Sequence, residues 1–232
     1  MTPHEYAPGL VLQNVTPPLK RADFKLVAFD MDSTLINIEC VDEIADAAGR
    51  KAEVAAITEA AMRGEITDYK ESLRQRVALL KGVTVAHMEQ VYTQRLQLNP
   101  GAAELVGACK AAGMKVLLVS GGFTFFTDRL QKQLGFDYAV ANQLEIRNGK
   151  LTGRVKGEVI DGEAKRHTLQ LVRKHHGFAP ESVIAAGDGA NDLPMLTEAG
   201  IGIAYHAKPV VRMQATHAIN HAGLDGILRL FA

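Results

Sequence analysis

Cysteine is nearly absent from this chain, at two of 232 residues, Cys40 and Cys109. Both stand in helix-like stretches, which excludes a disulfide framework and a cysteine-rich zinc centre and makes a reducing, cytoplasmic setting the simplest one. Net charge is absent too, with 26 Lys and Arg against 26 Asp and Glu, so a strongly basic nucleic-acid surface is excluded as the main activity. No uninterrupted apolar run approaches the ~18 residues that a membrane span needs. Residues 1–22 hold Pro3, Pro8, Pro17 and Pro18 but neither a basic cluster nor the apolar core of a signal peptide. They are expected to form an N-terminal extension, to which no element is assigned. Repeats and low-complexity segments are also missing. His167, His175, His176, His206, His217 and His221 lack metal-ligand spacing and read as surface or core residues. What remains is 47% hydrophobic and 22% charged, long enough to bury roughly 70–75% of its unfolded surface without staples.

Three short apolar runs read as buried strands: Lys25–Phe29, Met114–Val119 and Ser182–Ala186. Helical patterns separate them, and each ends in small or polar residues. That alternation predicts an α/β fold, a Rossmann-like parallel sheet with helices on both faces and ligands beyond the carboxyl ends of its strands. Residues 39–98 have no strand pattern and are rich in Ala, Glu, Arg and Leu, which predicts a helical cap inserted after the first strand into a core of 23–38 and 99–232. Val41, Ile44, Ala45, Val77, Leu79 and Leu80 would give its helices an apolar side, with Gly64 and Gly82 as breaks. Asn148-Gly149 between Gln143–Arg147 and Leu151–Val155 predicts a β-hairpin. A helix is expected over Glu163–His175, a strand near Ile201–Tyr205 and a last helix over Leu224–Phe231.

The chemistry lies at the strand ends. Asp30 and Asp32 follow the first strand, Ser120, Gly121 and Gly122 the second, and Asp188, Asn191 and Asp192 the third, while Lys165 sits near the start of a helix. If these loops converge, carboxylates about 4 Å apart repel by roughly 4 kcal/mol at an effective dielectric near 20, so positive charge must sit among them. Oxygen ligands of this kind suit Mg²⁺, which commonly takes one or two carboxylates together with a substrate phosphate. The Ser120 hydroxyl and glycine amides could hold phosphoryl oxygens, and Lys165 could neutralise them.

Through DMDSTLINIE, LLVSGGF, the Lys165 segment and GDGANDLPML, in that order, residues 24–231 resemble the haloacid-dehalogenase superfamily. Within it the likeness is to the members that hydrolyse O-phospho-L-serine to serine and phosphate, the last step of serine biosynthesis. The resemblance implies that Asp30 attacks phosphorus and that Asp32 protonates the leaving oxygen and then activates water. It makes the Asp30 carboxylate, the Asp32 carbonyl and Asp188 the Mg²⁺ ligands, with Asp192 just outside them, and Ser120, Gly121 and Lys165 the phosphate-binding residues. Glu39 has the family's position for a substrate ammonium, and Asn191 is a further contact. For the substrate carboxylate there are two arginines, Arg74 and Arg76, which helix geometry sets ~200° apart; the register of the motif favours Arg76. The stretch from Met62 to Arg76 is one residue longer than the family pattern, and Tyr69 stands where phenylalanine is usual. The expected partner is a small phosphomonoester, and the expected state a monomer or homodimer. The rival readings are a phosphatase or phosphotransferase for another small phosphorylated amine, such as histidinol phosphate or homoserine, and a non-catalytic binding domain.

Overall fold

In the computed structural model, which describes residues 3–13, 16–62 and 65–231, short doubly buried runs become strands and longer-period segments become helices. The chain runs β1 (His4–Ala7), β2 (Leu10–Leu12), β3 (Leu26–Phe29), α1 (Cys40–Ala47), α2 (Lys51–Met62), α3 (Tyr69–Leu79), α4 (Val85–Gln94) and α5 (Ala102–Ala111). It continues through β4 (Lys115–Phe123), α6 (Thr124–Leu134), β5 (Tyr138–Arg147), β6 (Lys150–Lys156) and α7 (Gly162–His175). The last elements are β7 (Val183–Gly187), α8 (Leu193–Glu198), β8 (Ile201–Tyr205), α9 (Pro209–Arg212) and β9 (His217–Ile219). The side chain of Met62, and Gly64, lie outside the described residues.

Among the described residues the strands form one sheet in the order β1-β2-β9-β8-β7-β3-β4-β5-β6. The six strands from β9 to β5 are parallel, and the two edges are finished by antiparallel pairing. Strand residues alternate between two cores, as a two-residue period demands. Val27, Phe29, Val116, Leu118, Ile184 and Ala186 point into one core, with Leu105 of α5 and Phe126 of α6. Leu26, Ala28, Leu117, Val119, Val183 and Ala185 point into the other, with Leu169 of α7 and Met195 of α8. No described helix is long and apolar enough to cross a membrane.

The register places the site. Phe29, the last residue of β3, pairs with Leu118 of β4 on one side and Ala186 of β7 on the other, so Asp30 leaves the sheet level with Val119 and Gly187, just before Ser120 and Asp188. The chain moves outward from β3 through β4 to β5 and, on the opposite side, through β7 to β9, making β3 the switch point where a crevice opens.

Several expectations are corrected. Residues 1–22 are not a bare extension: β1 and β2 continue the sheet from β9, with Leu10 and Leu12 fully buried. β4 does not end at Val119 but runs to Phe123, slipping register against β5 on the way. The last helix is a tight 3₁₀ coil over Leu224–Leu230. Elsewhere the expected elements stand. Asn148 and Gly149 both take left-handed angles, φ 51° and 73°, as a two-residue hairpin turn requires. Gly82, at φ 86°, separates α3 from α4. Val41, Ile44, Ala45, Val77 and Leu80 are buried, and Leu79 is half-buried.

His217 in β9 is buried, with Nε2 lacking a partner. Burial lowers its pKa from 6.5 to about 4, because an imidazolium there would lose its hydration. The unfolded chain therefore binds more protons between those values, and stability falls as pH drops from 6.5 toward 4, by about 3 kcal/mol in total at ~1.36 kcal/mol per unit. Denaturation at pH 7 and at pH 4.5 should show His217→Gln losing less stability across that interval than the wild type; equal losses would contradict the assignment.

Candidate active site

The loop after β3 carries the acids, and its shape is held from a distance. Asp30 donates its N–H to Ala186 O at 2.9 Å, which fastens it to the end of β7. Asp32 is extended and Ser33 left-handed at φ 57°, a conformation that costs a non-glycine residue about 1–3 kcal/mol and needs support. Asn99 gives that support: its Nδ2 donates to Thr34 O at 2.8 Å, to Ile36 O at 3.0 Å and, more weakly, to Ser33 O at 3.4 Å. The Asp32 carboxylate meets the start of α1, where Cys40 N–H donates to Oδ2 at 3.2 Å and the helix end favours negative charge.

Lys165 is the centre of the arrangement. Asp161 caps α7 by accepting from Ala164 N–H at 2.9 Å, and one turn on the Lys165 side chain runs inward until no part of it is exposed. Its ammonium lies 2.6 Å from Asp192 Oδ1 and 2.7 Å from Asp30 Oδ1. The first contact is a hydrogen bond; the second has ion-pair distance but poor alignment, leaving Asp30 Oδ1 without a hydrogen bond. Burial alone would lower the lysine pKa, but Asp192 and Asp30 outweigh it and raise it.

The carboxylates tell the same story in reverse. Burial first, then the charge of Asp192, holds Asp30 well above the usual carboxylate range despite Lys165. Asp188 is pushed up to about 7 by burial and by Asp192, against a hydrogen bond from Thr34 Oγ1 at 2.9 Å. Asp32 rises to about 8 through burial and the nearness of Glu39. Too much negative charge is gathered here for one lysine to balance.

Oxygens of Asp30, Asp188 and Asp192 lie within 4.8 Å of one another, an all-oxygen set that fits a hard divalent cation. Asp192 is the most committed of the three: Oδ1 accepts from Lys165, and Oδ2 accepts from Gly189 N–H at 3.0 Å. Asp30 Oδ2 has no protein partner among the described residues.

A cavity of about 190 Å³ opens over these groups, lined among others by Asp30, Asp32, Glu39, Tyr69, Arg76, Ser120, Gly121, Asp188 and Asn191. It is smaller than the roughly 300–1,000 Å³ of common ligand pockets, which favours a small ligand. Ser120 Oγ accepts from Gly122 N–H at 2.8 Å, so its own proton is free to be donated into the cavity. A Cβ on Gly122 would approach Met31 Cε at 2.6 Å and Asp32 Oδ2 at 3.1 Å, which is why glycine stands there. Glu39 lies at the mouth and accepts from Ser33 Oγ at 2.6 Å; the protein around it and the charge of Asp42 keep its pKa raised. Arg76 lines the same cavity, whereas Arg74 lines a separate one beside Gly153 and Arg154. Every site residue expected from the sequence thus borders the cavity, except Lys165 and Asp192, which lie buried directly behind Asp30.

Sequence reasoning passed over Thr34, Asn99 and Asp161. Asp161 carries a readable signal, an aspartate just before a helical pattern, and it also pairs with Lys70 of α3 at 3.2 Å. Asn99 carries none, because its partners are some sixty residues away in the chain.

A sheet edge that gathers anionic oxygens around one captive ammonium, beneath a cavity lined with hydroxyl and glycine, is suited to accept a phosphoryl group; the class so defined is an α/β phosphoryl-transfer enzyme. Residues 27–197 match the family model of haloacid dehalogenase-like hydrolases. A phosphoserine phosphatase of Polaromonas sp. (strain JS666) is 68% identical over 234 residues, covering 99% of each chain. Two solved structures, a phospho-aspartyl intermediate analogue of phosphoserine phosphatase and a substrate-bound phosphoserine phosphatase complex, are 42% and 41% identical. Their TM-scores are 0.83 and 0.84, and each match covers 90% of this chain and 99% of the other. The chain belongs to the haloacid dehalogenase-like hydrolase family.

Proposed function

We infer that this chain hydrolyses O-phospho-L-serine to L-serine and phosphate, with Mg²⁺ as its cofactor and an aspartyl-phosphate on Asp30 as the intermediate. The observation that carries the reading is the buried ammonium of Lys165 held between Asp30 and Asp192, which leaves one Asp30 oxygen free at the floor of a small polar cavity.

Asp30 attacks phosphorus as the bond to the seryl oxygen breaks. Asp32, whose pKa near 8 keeps a proton on it at neutral pH, delivers that proton to the departing oxygen. The carboxylate so formed then takes a proton from the water that cleaves the acyl-phosphate. Dividing hydrolysis between a covalent nucleophile and a placed acid/base contributes roughly 10²–10⁴-fold from the proton transfers alone. Ser120 O–H and the Gly121 backbone hold the phosphoryl oxygens in line, and the ammonium of Lys165, behind Asp30, offsets the negative charge that gathers there. Asp30, the Asp32 carbonyl and Asp188 would hold Mg²⁺, with Asp192 ordering Lys165 behind them. When bound, the ion withdraws charge from the phosphoryl group and shields the approach of an anionic nucleophile.

Glu39 faces the substrate ammonium, Arg76 its carboxylate and Asn191 its polar backbone, so the helices of residues 39–98 serve as the cap that selects the amino acid, over a core of residues 23–38 and 99–232. The activity supplies the last step of serine biosynthesis. A cytoplasmic setting is supported by the two unpaired, buried cysteines.

The test is turnover of a panel of small phosphomonoesters. O-phospho-L-serine is expected to be preferred, chelation to stop the reaction and Mg²⁺ to restore it. Arg76→Ala should lower kcat/KM for phosphoserine about 10²-fold, the scale of a charge-assisted bidentate contact, while sparing p-nitrophenyl phosphate. Undiminished phosphoserine turnover in that variant would redirect the assignment to another small phosphorylated amine.

A further inference from the structure

One polar group in the cavity has no part in the chemistry of Asp30 and Asp32: the hydroxyl of Tyr69. Tyr69 opens α3 and lines the cavity with Gly121. Its Oη occupies the space that a Cβ on Gly121 would fill, so it lies directly over the backbone that follows Ser120. The hydroxyl has no hydrogen-bond partner among the described residues. The ring stands between this cavity and a second one of about 560 Å³, which Tyr69 borders with Arg76 and Asn191 but Gly121 does not. The hydroxyl end is therefore on the phosphate side.

Its surroundings decide what it can bind. Burial carries its pKa up to about 12, with Lys165 and Arg76 opposing and Asp30 and Asp32 adding to the rise. The group is thus a neutral O–H across the working pH range, and its free capacity is a donor that an anionic oxygen would take. Of the charges on a phosphorylated amino acid, the ammonium is drawn to Glu39 and the carboxylate to the guanidinium fork of Arg76. The oxygens nearest Gly121 belong to the phosphoryl group.

We propose that Tyr69 Oη donates a hydrogen bond to a non-bridging phosphoryl oxygen, adding a phosphate-binding residue from the inserted helices to those supplied by the sheet. This rests on the reading of Asp30 as the point at which phosphorus is held. It links the two parts of the chain: a phosphate seated on Ser120 and Gly121 would draw α3 down, alongside the Lys70–Asp161 ion pair that already joins α3 to α7.

Tyr69→Phe keeps the ring and removes only the hydroxyl. With Mg²⁺ present, inhibition by inorganic phosphate should weaken about tenfold or more, the scale of one hydrogen bond to a charged group. The kcat/KM for O-phospho-L-serine should fall by a similar factor, with inhibition by L-serine and the unfolding midpoint unchanged. Unaltered phosphate inhibition would overturn the proposal, whether or not the midpoint moved. So would weakened inhibition by serine in place of phosphate, which would assign the hydroxyl to the amino-acid end. Inorganic phosphate is common to every phosphomonoester, so the phosphate comparison reads the hydroxyl even if phosphoserine proves to be the wrong substrate.

Discussion

Asp30→Asn is expected to lower turnover by on the order of 10⁴-fold or more, the scale on which loss of a covalent nucleophile is felt. The amide has nearly the shape of the carboxylate but cannot form an acyl-phosphate, so brief incubation with labelled substrate should leave no base-labile phosphoenzyme. Stability should move the other way. Burial and the charges of Asp192 and Asp188 hold the Asp30 carboxylate at a high pKa, and an uncharged amide is spared both burdens. A variant at least as stable as the wild type yet nearly inactive is the expected pair of results. Wild-type turnover would remove Asp30 from the reaction, and a severe stability loss would mean that its charge supports the fold.

Lys165→Met should cost both activity and stability. Removing one partner of a buried ion pair typically costs about 3–5 kcal/mol, because the remaining charge is left without compensation; here two carboxylates, Asp30 and Asp192, are left facing each other. The lysine pKa is raised above 10.5 by those acids once burial is outweighed. Its contribution is therefore fully present at neutral pH and begins to be lost only as pH rises past the unfolded value. In the variant the deficit should shrink on acidification, as Asp30 takes up a proton. Urea denaturation at pH 8 and pH 5.5, in the presence of a chelator, measures the difference. An inactive variant with wild-type stability at both values would confine the ammonium to catalysis and contradict its structural role.

These two residues differ in how far the sequence exposes them. Asp30 and Asp32 follow a short apolar run that reads as a buried strand, and their place at its carboxyl end follows from that reading. Lys165 is one of many lysines and becomes distinctive only when found fully buried. Arg74 and Arg76 are separated by helix geometry in principle, but which of them meets the cavity depends on how α3 sits over the sheet.

Local patterning determined β3 and β7 to within a residue, the start of β4, the hairpin at Asn148-Gly149, the helical nature of 39–98 and the order of the acidic loops. Each of these is written in a period of two or 3.6 residues, or in the angles one dipeptide tolerates. Tertiary structure alone decided that β1 and β2 join the sheet, that β4 runs on through Ser120 and Gly121, that Asn99 props the Asp30 loop and that Tyr69 lies over Gly121. β2 is held in the sheet by β9, some two hundred residues further along the chain, and the other contacts join positions dozens of residues apart. Such contacts are specified by packing and register, which no local stretch of chain contains.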